Sequence, residues 1–412
     1  MRIAIFTDTY SPEVNGVVTS IRQLEKELIK NGHEVFIITS SSYKRIIKEE
    51  NVIMMPGITM KKLYGYHASN FYSIIGANYI RKLKLDVIHA QTEYGIGIFA
   101  RIIAMQLELP LVYTYHTMLE DYSHYATKYT RGKFESTVKK IIVKSSKVYA
   151  NRCTELIVPS QKTKDAMKRY GVKNKINIVP TGIDLEMFSK QLIKQNQIVE
   201  MRKEYGFNND DFIAVYIGRV ASEKSIEDII RSFELLKGKK DNIKFLIVGG
   251  GPSVEELKQL VKDKKLENTI KLIGKVSYDK VAYYYHLADV FISTSTSETQ
   301  GLTFIEAMAC KLPVIAAHDK NLEHIIIENK TGYYVSNEQE LAQKLMKLEQ
   351  MSSSEFDVIC QNAYEIATQF SSKIFYERMI KIYESAIRKK KSALLQSRKN
   401  AQKRIFISSR IR

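Results

Sequence analysis

The 412-residue chain is poor in the groups that hold small or metal-built folds together. Its three cysteines, Cys153, Cys310 and Cys360, are scattered, with no Cys-x-x-Cys and no His/Cys cluster. Neither a disulfide framework nor a zinc site is expected, and free thiols fit a reducing cytosol. No Asp-x-Asp occurs, so no metal clamp for a diphosphate is indicated and no metal or other cofactor is expected. No apolar run approaches the roughly 18 residues of a spanning helix. The chain opens directly on the strand-like stretch Met1–Asp8, without the basic and apolar regions of a signal peptide. A soluble or peripheral protein is expected. There is no repeat at a period of roughly 20–50 residues and no long low-complexity linker.

What is present is charge, unevenly placed. The formal net charge is +18. Residues 128–152 hold eight Lys/Arg and one acid, and residues 371–412 hold thirteen and two, so these stretches account for the whole excess. A localised basic surface implies an anionic partner, nucleic acid or an anionic membrane face; the plain alternative is a solvated face kept basic for solubility.

Strand and helix patterns alternate through most of the chain. Strands are predicted at Ile3–Phe6, Glu34–Thr39, Val87–Ala90, Leu111–Thr114, Leu156–Pro159 and Ile176–Val179. Between the first two, a helix over Val17–Asn31 carries Val18, Ile21, Leu24 and Leu28 as an apolar stripe and stops at Gly32. A second series gives strands at Phe212–Ile217, Lys244–Val248, Ile270–Leu272, Val290–Ser293 and Val314–Ala316, and Ser253-x-x-Glu256 reads as a capping box. This is an α/β pattern of two Rossmann-like, doubly wound domains facing across a cleft. The polar stretch from about 185 to 210 marks their boundary: 1–185, then 186–370. A helix of about 371–390 is expected to pack back on the first domain, followed by a basic tail, 391–412, that is disordered or binds a surface.

Four segments carry candidate chemistry. Gly16, after the first strand, allows close approach of a phosphate to a helix start, although a simple turn reads equally well. Gly218-Arg219-x-x-x-Glu223-Lys224 puts two cations at the carboxyl end of a strand, suited to a diphosphate or to salt bridges with Glu223 or Asp228. Glu298 and Glu306, eight residues apart, place one carboxylate on a strand-end loop and one in the first turn of a helix. Such carboxylates serve either as holders of vicinal hydroxyls or as general acid and base. His116 follows an apolar strand, where a structural role is the commoner one.

Gly218-Arg219-x-x-x-Glu223-Lys224 followed by Glu298-x7-Glu306-Ala307-Met308-Ala309 resembles glycosyltransferase family 4, retaining enzymes of the GT-B fold. Gly16, His116, Val158-Pro159-Ser160 and Val179-Pro180-Thr181-Gly182-Ile183-Asp184 support the resemblance, which spans roughly residues 1–380. Gln300 stands where the family usually has an aromatic, and Thr181 where it has Asn. The Ser297–Thr303 version resembles the subgroup that glucosylates 1,2-diacylglycerol in low-GC Gram-positive bacteria and mollicutes.

The resemblance implies roles. Arg219 and Lys224 hold the donor diphosphate beside Gly218. Glu306 grips the nucleotide ribose, and Glu298 orients the donor sugar with the backbone of Gln300, Gly301, Leu302 and Thr303. Gly16 donates to the phosphate, His116 lies near the reacting face of the sugar, and the base rests near Val276. The expected reaction moves glucose from UDP-glucose to diacylglycerol. The alternatives are a second sugar on a glycolipid, or mannosyl or galactosyl transfer to a cell-surface glycan. The lipid acceptor accounts for the charge. Lys139, Lys140, Lys144 and Lys147, with a mixed basic and apolar segment over 61–82, are expected to bind an anionic membrane, placing the protein in the cytoplasm on the inner face of the cell membrane. No nucleic-acid motif accompanies the basic tail, so no nucleic-acid partner is expected.

Overall fold

The structure is a computed structural model that describes residues 1–13, 15–59, 67–69, 72–116, 135–296 and 298–410. It divides into two compact units, one of Met1–Gly182 with Lys373–Arg412, the other Ile183–Ser372.

The first unit runs β1 (Arg2–Phe6), α1 (Gly16–Lys30), β2 (Glu34–Ser41), β3 (Ile47–Glu49), β4 (Val52–Thr59), β5 (His67–Ser69), α2 (Ile74–Lys82), β6 (Val87–Ala90), α3 (Gly95–Gln106), β7 (Leu111–Thr114), α4 (Glu135–Arg152), β8 (Glu155–Val158), α5 (Gln161–Arg169) and β9 (Ile176–Ile178). The described strands order as β3-β4-β2-β1-β6-β7-β8-β9, with β5 paired to β4. Pairing is parallel except for β3 and β5 against β4. Alternation sends Ala4 and Phe6 to a core with Phe99, Ile103 and Ile80, and Ile3 and Ile5 to the opposite face with Ile21, Leu24 and Leu28. That second face is completed by the last helix, Ser372–Arg410, through Phe375, Met379, Ile382, Tyr383 and Ala386. Each fully buried large apolar side chain contributes ~1.5–3 kcal/mol, enough to hold the returning helix firmly. Lys389 and Ser385 add bonds of 2.7 and 2.6 Å to Glu155. Burial alone would raise the Glu155 pKa, but these bonds and one from Asn177 hold it below the usual carboxylate value.

The second unit runs α6 (Gln195–Glu204), β10 (Phe212–Ile217), α7 (Ile226–Leu236), β11 (Ile243–Val248), α8 (Val254–Asp263), β12 (Ile270–Gly274), α9 (Val281–Leu287), β13 (Val290–Ser293), α10 (Leu302–Ala309), β14 (Val314–Ala317), β15 (Gly332–Val335), α11 (Glu338–Glu349) and α12 (Ser353–Thr368). The last helix of the chain is then α13. The sheet is parallel throughout, in the order β12-β11-β10-β13-β14-β15. That is the doubly wound order, in which the winding reverses between β10 and β13. The reversal opens a crevice outside the carboxyl ends of those two strands, where such sheets bind ligands. In the first unit the winding reverses between β1 and β6.

Four sequence expectations change. The boundary expected within 185–210 falls just before it, at Gly182–Ile183, and Phe188, Ile198 and Phe207 are buried in the second unit's core. Ser253 makes no side-chain cap at α8, because its backbone (φ −94°, ψ 6°) is already turned rather than extended. The segment 61–82 is partly strand: Lys61, Lys62, Leu63, Tyr64, Tyr66 and Phe71 lie outside the described residues, His67–Ser69 is a strand and Ile74–Lys82 is a helix. Glu306 lies in the second turn of its helix, since α10 starts at Leu302. Val14, Ser297 and residues 117–134 also lie outside the described residues.

Candidate active site

The candidate donor site is built at the switch point of the six-stranded sheet. Gly218 follows β10 and is pinned by N–H donation to the Val248 carbonyl at 3.0 Å. The next loop is drawn in by glycines: a Cβ on Gly249 would lie 1.7 Å from the Gly218 oxygen, and one on Gly251 2.0 Å from that of Val220. Only glycine permits this backbone-to-backbone approach. Arg219 is thereby set at the crevice with its side chain about two-fifths exposed and its guanidinium 3.8 Å from Glu223. The turn Ser222–Lys224 follows, and Thr294 donates to the Ser225 carbonyl at 2.7 Å, tying the β10 loop to the β13 loop.

Across that tie, Lys224 Nζ donates to Glu298 Oε1 at 2.7 Å and to Ser295 Oγ at 3.3 Å. Asn321, from the loop after β14, donates its side-chain N–H to the Glu298 carbonyl. Gln300 is buried and Gly301 turns left-handed (φ +78°) to start α10. Among the described residues no side chain caps this start, and the Phe304 and Ile305 amides turn back onto the Gly301 carbonyl. The helix therefore presents the positive end of its dipole at the crevice, where an anion is favoured. Val276, half-buried, follows β12 on the same edge of the sheet.

Glu306 is 4 % exposed. Tyr278 and Tyr285 donate to its two oxygens at 2.9 and 3.0 Å. Burial pushes its pKa up to about 7, against the lowering effect of those two hydroxyls. A carboxylate has about four acceptor positions, and these two hydroxyls fill two of them. Neither tyrosine is marked by the sequence; the only signal is an aromatic-rich run, Tyr278 and Tyr283–Tyr285.

In the first unit, Gly16 is exposed at the first position of α1, which Asn15 caps by accepting from the Val18 N–H at 3.0 Å. His116 follows β7, and its Nε2 bonds to Gln91 Oε1. Burial lowers the His116 pKa to about 4, so the ring is neutral at ordinary pH. Thr181 bonds Ser20 on α1 at 2.9 Å. Lys139, Lys140, Lys144 and Lys147 are all exposed on α4.

The structure thus brings Lys224, Glu298 and Asn321 into contact and sets Arg219 on the same crevice. It gives Glu306 a separate aromatic setting. Asp319 and Asn321, buried after β14, carry no motif that sequence reasoning used.

Comparison with known proteins agrees with this architecture. Residues 14–187 match the family model described as Glycosyltransferase Family 4, and residues 197–365 match Glycosyl transferases group 1. The chain is 35% identical to the alpha-monoglucosyldiacylglycerol synthase of Acholeplasma laidlawii, over 92% of this chain and 95% of that one. It is 32% identical to the enzyme of the same name from Streptococcus pneumoniae, over 94% and 86%. Among solved structures, the Anabaena protein HepE in complex with UDP and glucose superposes with a TM-score of 0.73 at 18% identity, covering 93% of this chain and all of that one. Two Rossmann-like parallel-sheet units, a cationic crevice at the switch point and these matches together place the chain in glycosyltransferase family 4, with the GT-B fold.

Proposed function

We propose that this glycosyltransferase moves glucose, with retention, from UDP-glucose to 1,2-diacylglycerol at an anionic membrane surface on the cytoplasmic side. The donor reading rests on the switch-point crevice. Two cations, Arg219 and Lys224, and an uncapped helix start converge where a diphosphate leaving group gains charge. Removal of one such group typically costs ~3–4 kcal/mol of transition-state stabilisation. Arg219 and Lys224 carry that charge without a metal clamp. Glu298 orients the sugar, Glu306 accepts from the ribose hydroxyls, and Gly16 donates to the phosphate. The acceptor oxygen attacks the anomeric carbon from the face that the diphosphate leaves. Its proton passes to a diphosphate oxygen, so no general base is needed. The two relatives named as monoglucosyldiacylglycerol synthases support glucose and diacylglycerol as the pair.

The observation that carries a lipid acceptor is the surface of the first unit. On α4, Ile141 (62 % exposed) and Val148 stand among the exposed Lys139, Lys140, Lys144 and Lys147. The opposite side of the same helix packs Val143 and Tyr149 on the core. Ile74 and Ile75 are exposed at the start of α2 and Met105 at the end of α3, and a Tyr72–Gln106 bond joins these two helix ends. Arg81, Lys82 and Lys84 lie exposed just beyond. Exposed aliphatics beside lysines suit the headgroup boundary of an anionic leaflet. Among the described residues no helix is long and apolar enough to cross a membrane.

The test is to incubate the protein with a panel of nucleotide-sugars and diacylglycerol in anionic vesicles and identify the product. An α-glucosyl diacylglycerol is expected. A β-linked product would overturn retention. Transfer only to a lipid that already carries a sugar, or only to a soluble glycan, would overturn the acceptor.

A further inference from the structure

We propose that Gln91 is a positioning residue: it fixes His116 as the Nε2–H tautomer, so that the unprotonated Nδ1 is the nitrogen offered to the donor sugar. The proposal rests on the reading of His116 as a group near that sugar.

Hydrogen-bond polarity runs along a chain of side chains inside the first unit. It starts at Tyr383 on α13, a fully buried side chain whose hydroxyl lies 2.8 Å from His89 Nδ1. A phenol is a better donor than acceptor, so His89 Nδ1 carries the lone pair. The Gln91 side-chain nitrogen lies 3.3 Å from the same Nδ1 and can only donate to it. His89 is then protonated at Nε2, which donates to Thr114 Oγ1 at 2.7 Å. With its nitrogen committed to His89, Gln91 turns Oε1 to His116, and an amide oxygen only accepts. His116 Nε2 must therefore carry the proton. With the Gln91 amide oriented as it stands, each link follows from the one before, so a hydroxyl on the C-terminal helix is coupled to the tautomer of a histidine two links away.

Two features keep this arrangement from scrambling. The cavity beside the chain is about 10 Å³, lined by Ser20, Thr181, Ile157, Met379 and the network itself, with room for one water at most. Among the described residues no charged side chain lines it, and the titratable groups facing His116 are His89 and, one link on, Tyr383. Burial also lowers the pKa of His89 to about 3, so both rings stay neutral and act as one-donor, one-acceptor links.

The test has two arms on the full-length protein. Nitrogen NMR of ¹⁵N-histidine-labelled enzyme reads which ring nitrogen carries the proton. The wild type should show Nε2–H for His89 and His116, and Nδ1–H on His116 would overturn the proposal. The second arm compares Gln91→Met, which removes both bonds at similar volume, with Gln91→Glu, which keeps the acceptor but adds a charge. Gln91→Met should lower kcat about tenfold, as for a buried donor left unpaired, with little change in KM for the nucleotide-sugar. Gln91→Glu should raise the His116 pKa, so its kcat gains an acid limb absent from wild type and recovers as pH rises. Equal, pH-independent losses in both variants would mean a merely structural role and overturn the proposal. Should Gln91→Met fail to fold, Gln91→Glu and the wild-type spectrum still decide. A His116→Ala variant with wild-type kcat would sink the reading of His116 near the sugar, while the NMR arm would decide the tautomer separately.

Discussion

Lys224 donates to Glu298 at 2.7 Å, joining the loops after β10 and β13, with both side chains less than one-fifth exposed. The cation assigned to the diphosphate and the carboxylate assigned to the sugar are thus one unit. Glu298→Ala should lower kcat more than it weakens nucleotide binding, and Lys224→Ala should lower kcat by about two orders of magnitude. The double variant should lose less than the sum of the two, because either single change already breaks the shared ion pair. A double-mutant cycle on kcat/KM measures the coupling, and strict additivity would dissolve the pair.

Glu306 titrates near neutrality. Its pKa, raised by burial to about 7 in the fold, means that folding favours the protonated form. Its contribution to stability is therefore full below about 4.5 and is lost as pH rises to about 7. Nucleotide binding runs the other way, since only the carboxylate offers all its acceptor positions to ribose. UDP affinity should rise with pH across this window, and Glu306→Gln should flatten that rise while weakening binding at the alkaline end. Isothermal titration at a series of pH values checks both. If Glu306→Gln lowered kcat and left UDP affinity intact, the ribose role would fall.

Gly301→Ala should destabilise by ~1–3 kcal/mol, the cost of a strained non-glycine backbone. The new Cβ would face φ +78° and lie 2.7 Å from Leu322 Cδ2. Asn321→Ala should leave thermal stability nearer wild type but lower kcat, because it releases the Glu298 carbonyl and hence the sugar loop. Thermal melts alongside turnover separate the two; a kcat unchanged in Asn321→Ala would show that the loop holds itself.

Replacing Lys139, Lys140, Lys144 and Lys147 with Gln should weaken binding to anionic vesicles by ~1 kcal/mol per residue near the surface. Wild-type binding should fall with added salt. Flotation on neutral and anionic vesicles reads this directly, and equal binding to both would refute an electrostatic contact.

Much of the fold was legible because burial leaves a period in the sequence. Strands such as Val87–Ala90 and Phe212–Ile217 are short apolar runs that admit one reading between helix patterns, and they occur at those bounds. β15 escaped because Gly332–Val335, Gly-Tyr-Tyr-Val, is too short to show a period. Gln195–Glu204 escaped as a helix because Ile198 is its only fully buried residue. The partners of the candidate residues were less legible. Asn321 meets Glu298 from 23 positions away, and Tyr278 meets Glu306 from 28, distances over which no local pattern extends.

The sequence by itself determined the two α/β series, the concentration of charge, and the order of Gly218, Arg219, Lys224, Glu298 and Glu306 that marks family 4. These are properties of neighbours along the chain, written in spacing and type. Only the tertiary structure decided that Lys224 and Glu298 pair, that Glu306 sits between two phenols, and that Tyr383 reaches His89 across 294 residues. The reason is physical. Parallel strands take their partners from distant segments, so the chain meets at the carboxyl ends of its strands in an order set by winding rather than by sequence.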